Sequence, residues 1–335
     1  MKKDLFARLS LAASILAFCV VVLGAFVRLS DAGLGCPDWP GCYGQITVPE
    51  HHTDVTSANQ AYPERPVEAA KAWKEMIHRY FAGVLGLLIL ALAISAWKQR
   101  EDRQQQLAVP LSLVALVIFQ ALLGMWTVTL LLKPVIVMAH LLGGLSILAL
   151  LWWTMLQHTG RLASNRVLND SYKRWALIGL VIVLIQITLG GWTSANYAAV
   201  ICPDFPTCQG RWMPPMDFGN GFTLWRGLGV DYEGGVLTND ARVAIHVTHR
   251  IGAVVTFVYL LWLGIRLLRA SAEKSTRRIA KAIIAAVCAQ FLFGIGNVML
   301  GLPLLVAVAH NAMAAVLLLS LVSLNHNLRS STGRW

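Results

Sequence analysis

The sequence predicts an all-α integral membrane protein in which eight transmembrane helices form two tandem, pseudo-symmetric four-helix bundles. Three observations predict this fold class: little charge, long apolar runs and an internal repeat. Only 13% of the 335 residues are charged and 56% are hydrophobic, whereas soluble domains contain about 25% charged residues. Eight apolar runs are long enough to cross a hydrocarbon core of about 30 Å. They cover residues 9–28, 77–97, 107–132, 134–156, 174–195, 242–267, 279–300 and 303–325.

The net charge of +11 follows from membrane topology rather than from nucleic-acid binding. Short loops such as 98–106 and 268–278 are dense in Lys and Arg, whereas the two longest loops are not. The positive-inside rule therefore places both termini in the cytoplasm and the two long loops outside. The first apolar run has no clear signal-peptidase site before Arg28 and is expected to stay as an anchor. A bacterial plasma (inner) membrane is the simplest location.

The two halves of the chain repeat one four-helix unit. The stretch LGAFVRLSDAGLGCPDWPGCYG aligns without a gap on LGGWTSANYAAVICPDFPTCQG, at an offset of 166 residues. Later matches have offsets of 170 or 171: His78-Arg79 on His249-Arg250, Gln120 on Gln290, Gly124 on Gly294 and Ala139-His140 on Ala309-His310. Four crossings return the chain to its starting side, so the repeats are parallel. We predict an N-terminal repeat over 1–156, a cytoplasmic linker over 157–173 and a C-terminal repeat over 174–335.

Four of the nine histidines lie in apolar runs at repeat-equivalent positions: His78, His140, His249 and His310. Ionisable residues within membrane spans are costly and usually functional. Each repeat contributes one histidine from its second span and one from its fourth, and such a pair supplies the two axial ligands of a b-type haem. Hydrogen bonding to a neighbouring helix is the alternative for an isolated histidine. Zinc fits less well, because no third or fourth ligand recurs with the pairs.

Arg79 and Arg250 directly follow the histidines of the second and sixth spans. An arginine at the outer interface suits haem propionates, which accept charge-assisted hydrogen bonds. Anchoring to lipid headgroups is the alternative. Several glycines near the histidines provide room either for a macrocycle or for close helix packing: Gly83, Gly86, Gly143, Gly144 and Gly252.

Four cysteines form two C-x5-C pairs in the outer loops, each within the motif C-P-D-[WF]-P-x-C. The spacing and the oxidising side predict one disulfide in each loop, Cys36–Cys42 and Cys202–Cys208. Redox cycling is the alternative, because a tight loop keeps both thiols near each other. The remaining cysteines, at positions 19 and 288, are expected to pack as small hydrophobic residues.

The symmetry fails at one position close to the histidines. The first repeat has Glu75 three residues before His78, whereas the second has His246 at the equivalent position. The i,i+3 spacing places Glu75 on the same helix face as His78. A carboxylate there can move protons or stabilise a developing cation. The N-terminal half is therefore predicted to be the reactive site, and the C-terminal half an electron-transfer or structural haem site. A glutamate that only begins its helix is the alternative.

The other polar features receive simpler interpretations. His51, His52, His158 and His326 are interpreted as solvated residues in a loop or at helix ends. Residues 63–77 are interpreted as an outer amphipathic helix that continues into the second span.

Together these motifs resemble the haem A synthase family, paired-cysteine type. The pattern comprises E-x-x-H-R in the second span, H-x-x-H-R in the sixth, A-H in the fourth and eighth, and the loop cysteines, from Leu9 to about His326. The resemblance implies an oxidoreductase that converts the C8 methyl group of haem O to a formyl group, giving haem A for terminal oxidases. It implies a catalytic role for Glu75. Haem O and haem A would bind at His78 and His140, and a permanent haem b at His249 and His310.

The resemblance also sets expectations about partners. Haem O synthase, a farnesyltransferase, and an electron acceptor are expected beside the lipid bilayer, nucleic acid is not, and the sequence is compatible with a homo-oligomer. The chief alternative function is a dihaem b-type subunit that oxidises quinol and transfers electrons. Glu75 and the loop cysteines favour the enzyme.

Overall fold

The computed structural model describes residues 2–100, 107–159 and 169–330. Over these ranges the chain contains ten helices and no strand. They are α1 (Lys2–Leu29), α2 (His52–Ala61), α3 (Ala69–Lys98), α4 (Ala108–Thr129), α5 (Pro134–Thr159), α6 (Asp170–Ala195), α7 (Phe218–Gly221), α8 (Asn239–Ala270), α9 (Lys274–Met299) and α10 (Leu304–Ser330). Eight of these, all but the short α2 and α7, are long and apolar enough to cross a membrane. The predicted all-α, eight-span membrane protein is confirmed.

The segment before the second span differs from the prediction. Helix α3 begins at Ala69, and residues 63–68 are not helical. Pro63 and Pro66 account for this, because a proline disfavours the α conformation of the residue before it. A separate helix, α2, precedes the break. This helix has no long apolar run, so the sequence pattern does not predict it.

The transmembrane helices contact one another in two groups. In the first, α1 and α4 each contact both α3 and α5; in the second, α6 and α9 each contact both α8 and α10. The groups meet where α1 contacts α10 and where α5 contacts α6 and α10. One buried hydrophobic core runs through both groups and includes Leu148, Leu151, Leu260 and Leu321. Most of the predicted linker, residues 160–168, lies outside the described part of the chain, and the repeat boundaries stay a prediction.

Two long loops lie on the same side of the molecule, which we call the cysteine side. Loop 1 comprises residues 30–68, and loop 2 comprises residues 196–238. Arg65 of loop 1 connects them through ion pairs with Asp231 and Glu233 of loop 2, each at 2.5 Å. The positions of these loops therefore depend on each other.

Both loops fold in the same way around their cysteines. The sulfur atoms are 2.02 Å apart in Cys36–Cys42 and 1.98 Å apart in Cys202–Cys208, which is the within-loop pairing that the spacing predicts. Isolated antiparallel bridges join Cys42 to Gln45 and Cys208 to Arg211.

The aspartate of each C-P-D motif organises the turn that follows it. The Asp38 carboxylate accepts hydrogen bonds from the backbone N–H groups of Tyr43 and Gly44, at 2.6 and 2.7 Å. Asp204 accepts the equivalent bonds in loop 2, and also one from the Thr207 hydroxyl. These hydrogen bonds, that from Thr207 above all, hold the pKa of Asp204 below its usual value. The motif thus fixes loop geometry as well as supplying cysteines.

Candidate functional site

A cavity of about 870 Å³ extends from loop 1 into the N-terminal group of helices. His78 of α3 and His140 of α5 both line it, together with Glu75 and Arg79. Most of the remaining lining is apolar and comes from α1, α3, α4 and α5. Binding sites for cofactor-sized molecules have volumes of about 300–1,000 Å³ and similarly apolar walls. The C-terminal half completes the wall with Gly191, Ser194 and Asn311.

The four histidines lie on the helices that the repeat predicts. His78 and His140 line the same cavity. His249 of α8 and His310 of α10 belong to the other group of helices, in which α6 and α9 each contact both α8 and α10. Within the described ranges no group of three or more His, Cys, Asp and Glu side chains could hold a metal ion. Each pair therefore offers two protein ligands, too few for a structural zinc site.

The imidazole nitrogens of these residues are incompletely paired. The buried Nδ1 atoms of His78, His140 and His310 have no hydrogen-bond partner among the residues that the structure describes. Buried polar atoms are nearly always hydrogen-bonded in proteins, and exceptions call for an explanation such as a bound group. His78 and His140 thus line one apolar cavity with imidazoles whose hydrogen bonding is incomplete, and such side chains could hold a haem.

A glycine of the neighbouring helix lies against every one of the four histidines. A Cβ atom added to any of these glycines would be 3.0–3.3 Å from the imidazole Cε1 atom. Contacts in this range are tighter than ordinary van der Waals contact, so a larger residue would displace the ring. The pairs are Gly24–His78, Gly124–His140, Gly190–His249 and Gly294–His310. Sequence reasoning aligned these glycines between the repeats but gave them no role.

Three glutamines hold the histidine-bearing helices in place. Gln120 Nε2 donates to the His140 carbonyl at 2.6 Å, and Gln290 Nε2 lies 3.1 Å from His310 Nε2. Gln186 Nε2 donates to the His249 carbonyl at 3.0 Å and lies 3.0 Å from its Nδ1. Such partners orient metal ligands. Position 20, which is equivalent to 186, is a valine.

Glu75 is buried between α3 and loop 1, with 5% of its surface exposed. Its Oε2 accepts a hydrogen bond from the Cys36 backbone N–H at 2.9 Å, and its Oε1 pairs with Arg79 Nη2 at 2.5 Å. Helix α3 begins at Ala69, so Glu75 lies beyond the first turn and does more than begin a helix. The equivalent His246 is also buried and tied to its loop, with Nδ1 2.9 Å from the Ala198 carbonyl oxygen.

The two arginines next to the histidines fasten the cysteine loops to their helices. Arg79 Nη1 donates to the carbonyls of Asp38 and Gly41. Arg250 donates to the carbonyls of Thr207 and Cys202, at 2.8 and 3.0 Å. Both guanidinium groups therefore face protein rather than lipid headgroups. A role in binding propionates stays a prediction for both.

Arg28 is a site residue that sequence reasoning missed. It lies near the end of α1, lines the cavity, and its Nη2 donates to the Ser194 carbonyl at 2.6 Å. Its guanidinium also lies 4.2 Å from the centroid of the Tyr197 ring. Arg28 stands at the end of the first apolar run, and sequence reasoning assigned it no role. The repeat offered a signal for it, because the first copy has an arginine at position 28 where the second copy has the uncharged Ser194.

One of the histidines interpreted as solvated is buried, and another is partly buried. His326 is buried and packs edge-on against Trp153, with ring centroids 5.0 Å apart. The ring of His158 is partly exposed and lies against that of Phe6 at 4.4 Å. Both contacts join helices that are distant in sequence, so the positions of these histidines at helix ends were misleading. His51 and His52 are exposed, as predicted.

Comparison with known proteins identifies the family. The family model described as "Cytochrome oxidase assembly protein" matches residues 7–322. The chain belongs to this family. Among its relatives, the heme A synthase of Shewanella oneidensis is 43% identical over 94% of the chain and 95% of the relative. The heme A synthases of Sphingopyxis alaskensis and Caulobacter vibrioides are 28% and 29% identical, covering 95% and 90% of the chain and 90% of each relative.

The residues that match the family model include every residue of the candidate site. The matched range begins within α1 and ends within α10, so it includes both histidine pairs, both cysteine loops and Glu75. The eight apolar helices make this family member a multi-pass membrane protein.

Proposed function

We propose that this protein is a haem A synthase, an oxidoreductase that converts the C8 methyl group of haem O to the formyl group of haem A. The observation that carries the proposal is the large apolar cavity lined by His78, His140 and Glu75. The relatives support it, because they carry that activity in their names and match nearly the whole chain. With water as the source of the oxygen atom, the conversion –CH3 + H2O → –CHO + 4 H⁺ + 4 e⁻ releases four electrons, which the proposed electron acceptor would take up.

The residues present fit a haem in each half. In the N-terminal half, His78 and His140 would hold the substrate haem O and the product haem A. In the C-terminal half, His249 and His310 would hold a permanent haem b, which supplies one-electron transfer when bound. The glycine beside each ring supports both assignments, and the unpaired imidazole nitrogens of His78 and His140 support the first.

Glu75 is the residue we propose to act on the reacting methyl group. It lines the cavity that contains His78, and Arg79 and the Cys36 backbone fix its carboxylate. A fixed, buried carboxylate can accept a proton or stabilise positive charge that develops at the carbon. Arg28 and Arg79 would balance the propionates, since both line the cavity near the cysteine side.

We further propose how the protein lies in the membrane. The bacterial relatives favour a bacterial plasma membrane, and the distribution of Lys and Arg favours an orientation with both termini in the cytoplasm. The cysteine side would then face the oxidising outer compartment, where disulfides persist. Residues 1–156 would form the substrate unit and residues 174–335 the haem b unit. Haem O synthase and an electron acceptor remain the proposed partners.

Pigment extraction from purified protein tests this function. We expect haem b together with haem O or haem A, as each half would hold a different haem. Haem b alone would instead support a dihaem electron-transfer cytochrome, an alternative that the relatives do not favour.

A further inference from the structure

The cavity is unfilled by protein where α3 faces α4. Small residues of both helices line it there, namely Gly83 and Gly86 of α3 and Ala121 of α4. A Cβ atom added at Gly83 would meet no heavy atom within 4 Å, and one at Gly86 would meet only the Val117 side chain, at 4.0 Å. Close helix packing therefore does not explain these glycines.

The same part of the cavity reaches the lateral surface of the molecule. Leu87, Leu90 and Ile118 line the cavity, yet 67%, 47% and 59% of their surfaces are exposed. These residues belong to membrane-spanning helices, so their exposed surfaces face lipid. A continuous apolar path thus leads from the histidine pair, between α3 and α4, to the lipid.

The C-terminal half has an aromatic pair at this place. The repeat offsets of 171 and 170 put Phe257 where the first half has Gly86, and Phe291 where it has Ala121. The two phenylalanine rings stack, with centroids 4.7 Å apart and planes inclined by 30°. Helices α8 and α9 also contact each other more extensively than α3 and α4 do. One half is therefore open to the side, and the other is closed.

We infer that the opening between α3 and α4 is a lateral portal that receives the isoprenoid tail of haem O. The identity of this occupant rests on the proposed function. Haem O is haem B with a hydroxyethylfarnesyl chain in place of one vinyl group. A macrocycle held near His78 and His140 could extend this apolar chain along Leu87, Leu90 and Ile118 into lipid. A permanent haem b has no such chain and need not leave, which agrees with the closed second half.

Exchange of the portal residues for their repeat equivalents tests the inference. The double variant Gly86→Phe/Ala121→Phe would be purified at full length, with haem b in its C-terminal half, from cells that make no haem O. Haem O and haem B are then titrated separately and followed by Soret absorbance. We expect the dissociation constant for haem O to rise at least about tenfold, because two methylene groups alone are worth that much. That for haem B should change by less than about threefold, within the usual context dependence of such effects.

Leu122→Phe is the matched control, because Leu122 is exposed on α4 but does not line the cavity. It should leave both dissociation constants unchanged. If the double variant fails to retain haem b, the smaller Gly86→Val/Ala121→Val variant takes its place. Its binding of haem O should again be weakened more than its binding of haem B.

Two results would overturn the portal. Unchanged haem O binding would mean that the tail lies elsewhere, and equal weakening of both haems would mean that these residues contact only the macrocycle. A wild-type protein that binds no haem O would instead contradict the proposed function itself.

Discussion

The two halves of the molecule place the same histidines, glycines and disulfides in different surroundings. The N-terminal half has a carboxylate at Glu75, a guanidinium at Arg28 and open space at Gly86. At the equivalent positions the C-terminal half has His246, Ser194 and the ring of Phe257. The same pair of histidines in each half can bind the same kind of group twice. The charged residues near each pair and the access to its cavity determine which half carries out the reaction. In a duplicated protein, the positions where the copies differ are therefore the best indication of function.

The largest expected effect is the loss of a bound haem. Which haem is lost should depend on the half of the molecule in which the histidine is replaced. His310→Ala should remove the low-spin haem b signal, because it takes away one of its two proposed ligands. His140→Ala should keep that signal and lose extracted haem O and haem A. Absorption spectra and chromatography of extracted pigments measure both. Loss of haem b in His140→Ala with retention in His310→Ala would reverse the assignment of the halves.

The next largest effect should come from the charge of Glu75. Glu75→Gln keeps the shape and an oxygen for the Cys36 N–H, so loop 1 should stay in place. Haem A formation should fall by about 10²–10⁴-fold, the range for a lost positioned acid or base, while haem content persists.

The matched change in the other half is His246→Gln, which should affect haem A formation less. Near-normal activity of Glu75→Gln would reduce Glu75 to an anchor of loop 1. Loss of all bound haem would make its role structural.

A smaller effect should come from the glycines against the imidazoles. Gly24→Ala would put a Cβ atom 3.0 Å from His78 Cε1 and should lower retention of the substrate haem several-fold. The equivalent Gly190→Ala should weaken haem b instead, since its Cβ atom would be 3.1 Å from His249 Cε1. Gly296→Ala is the control, because its nearest contact would be an ordinary one of 3.5 Å. Equal haem loss in all three variants would show a general packing defect.

The smallest effect should come from the disulfides, where the halves are most alike. Cys202→Ser/Cys208→Ser should change haem b content little, because Asp204 and Arg250 also hold loop 2. Mass spectrometry of non-reduced peptides should find Cys36 linked to Cys42 and Cys202 linked to Cys208. A linkage between the loops, or complete loss of haem A formation after the serine changes, would favour redox cycling over a structural role.

Much of this fold could be predicted from the sequence because its main signals are local. Long apolar runs give the spans, and residues repeated at fixed offsets give the pairing of histidines and cysteines. What escaped prediction depends on contacts between distant segments. The hydrogen bonds from Arg79 to loop 1 and the burial of His326 by Trp153 are of this kind. The stacked Phe257 and Phe291 escaped too, because each looked like one more apolar residue in a span.

Asn311 has a consequence for how the two copies can change over time. It belongs to the C-terminal half and directly follows His310, yet it lines the cavity of the N-terminal half. One turn of α10 therefore serves both sites, and a substitution there acts on both at once. A change at Glu75 or Phe257 acts on one half alone, whereas a change in this turn of α10 couples the two halves.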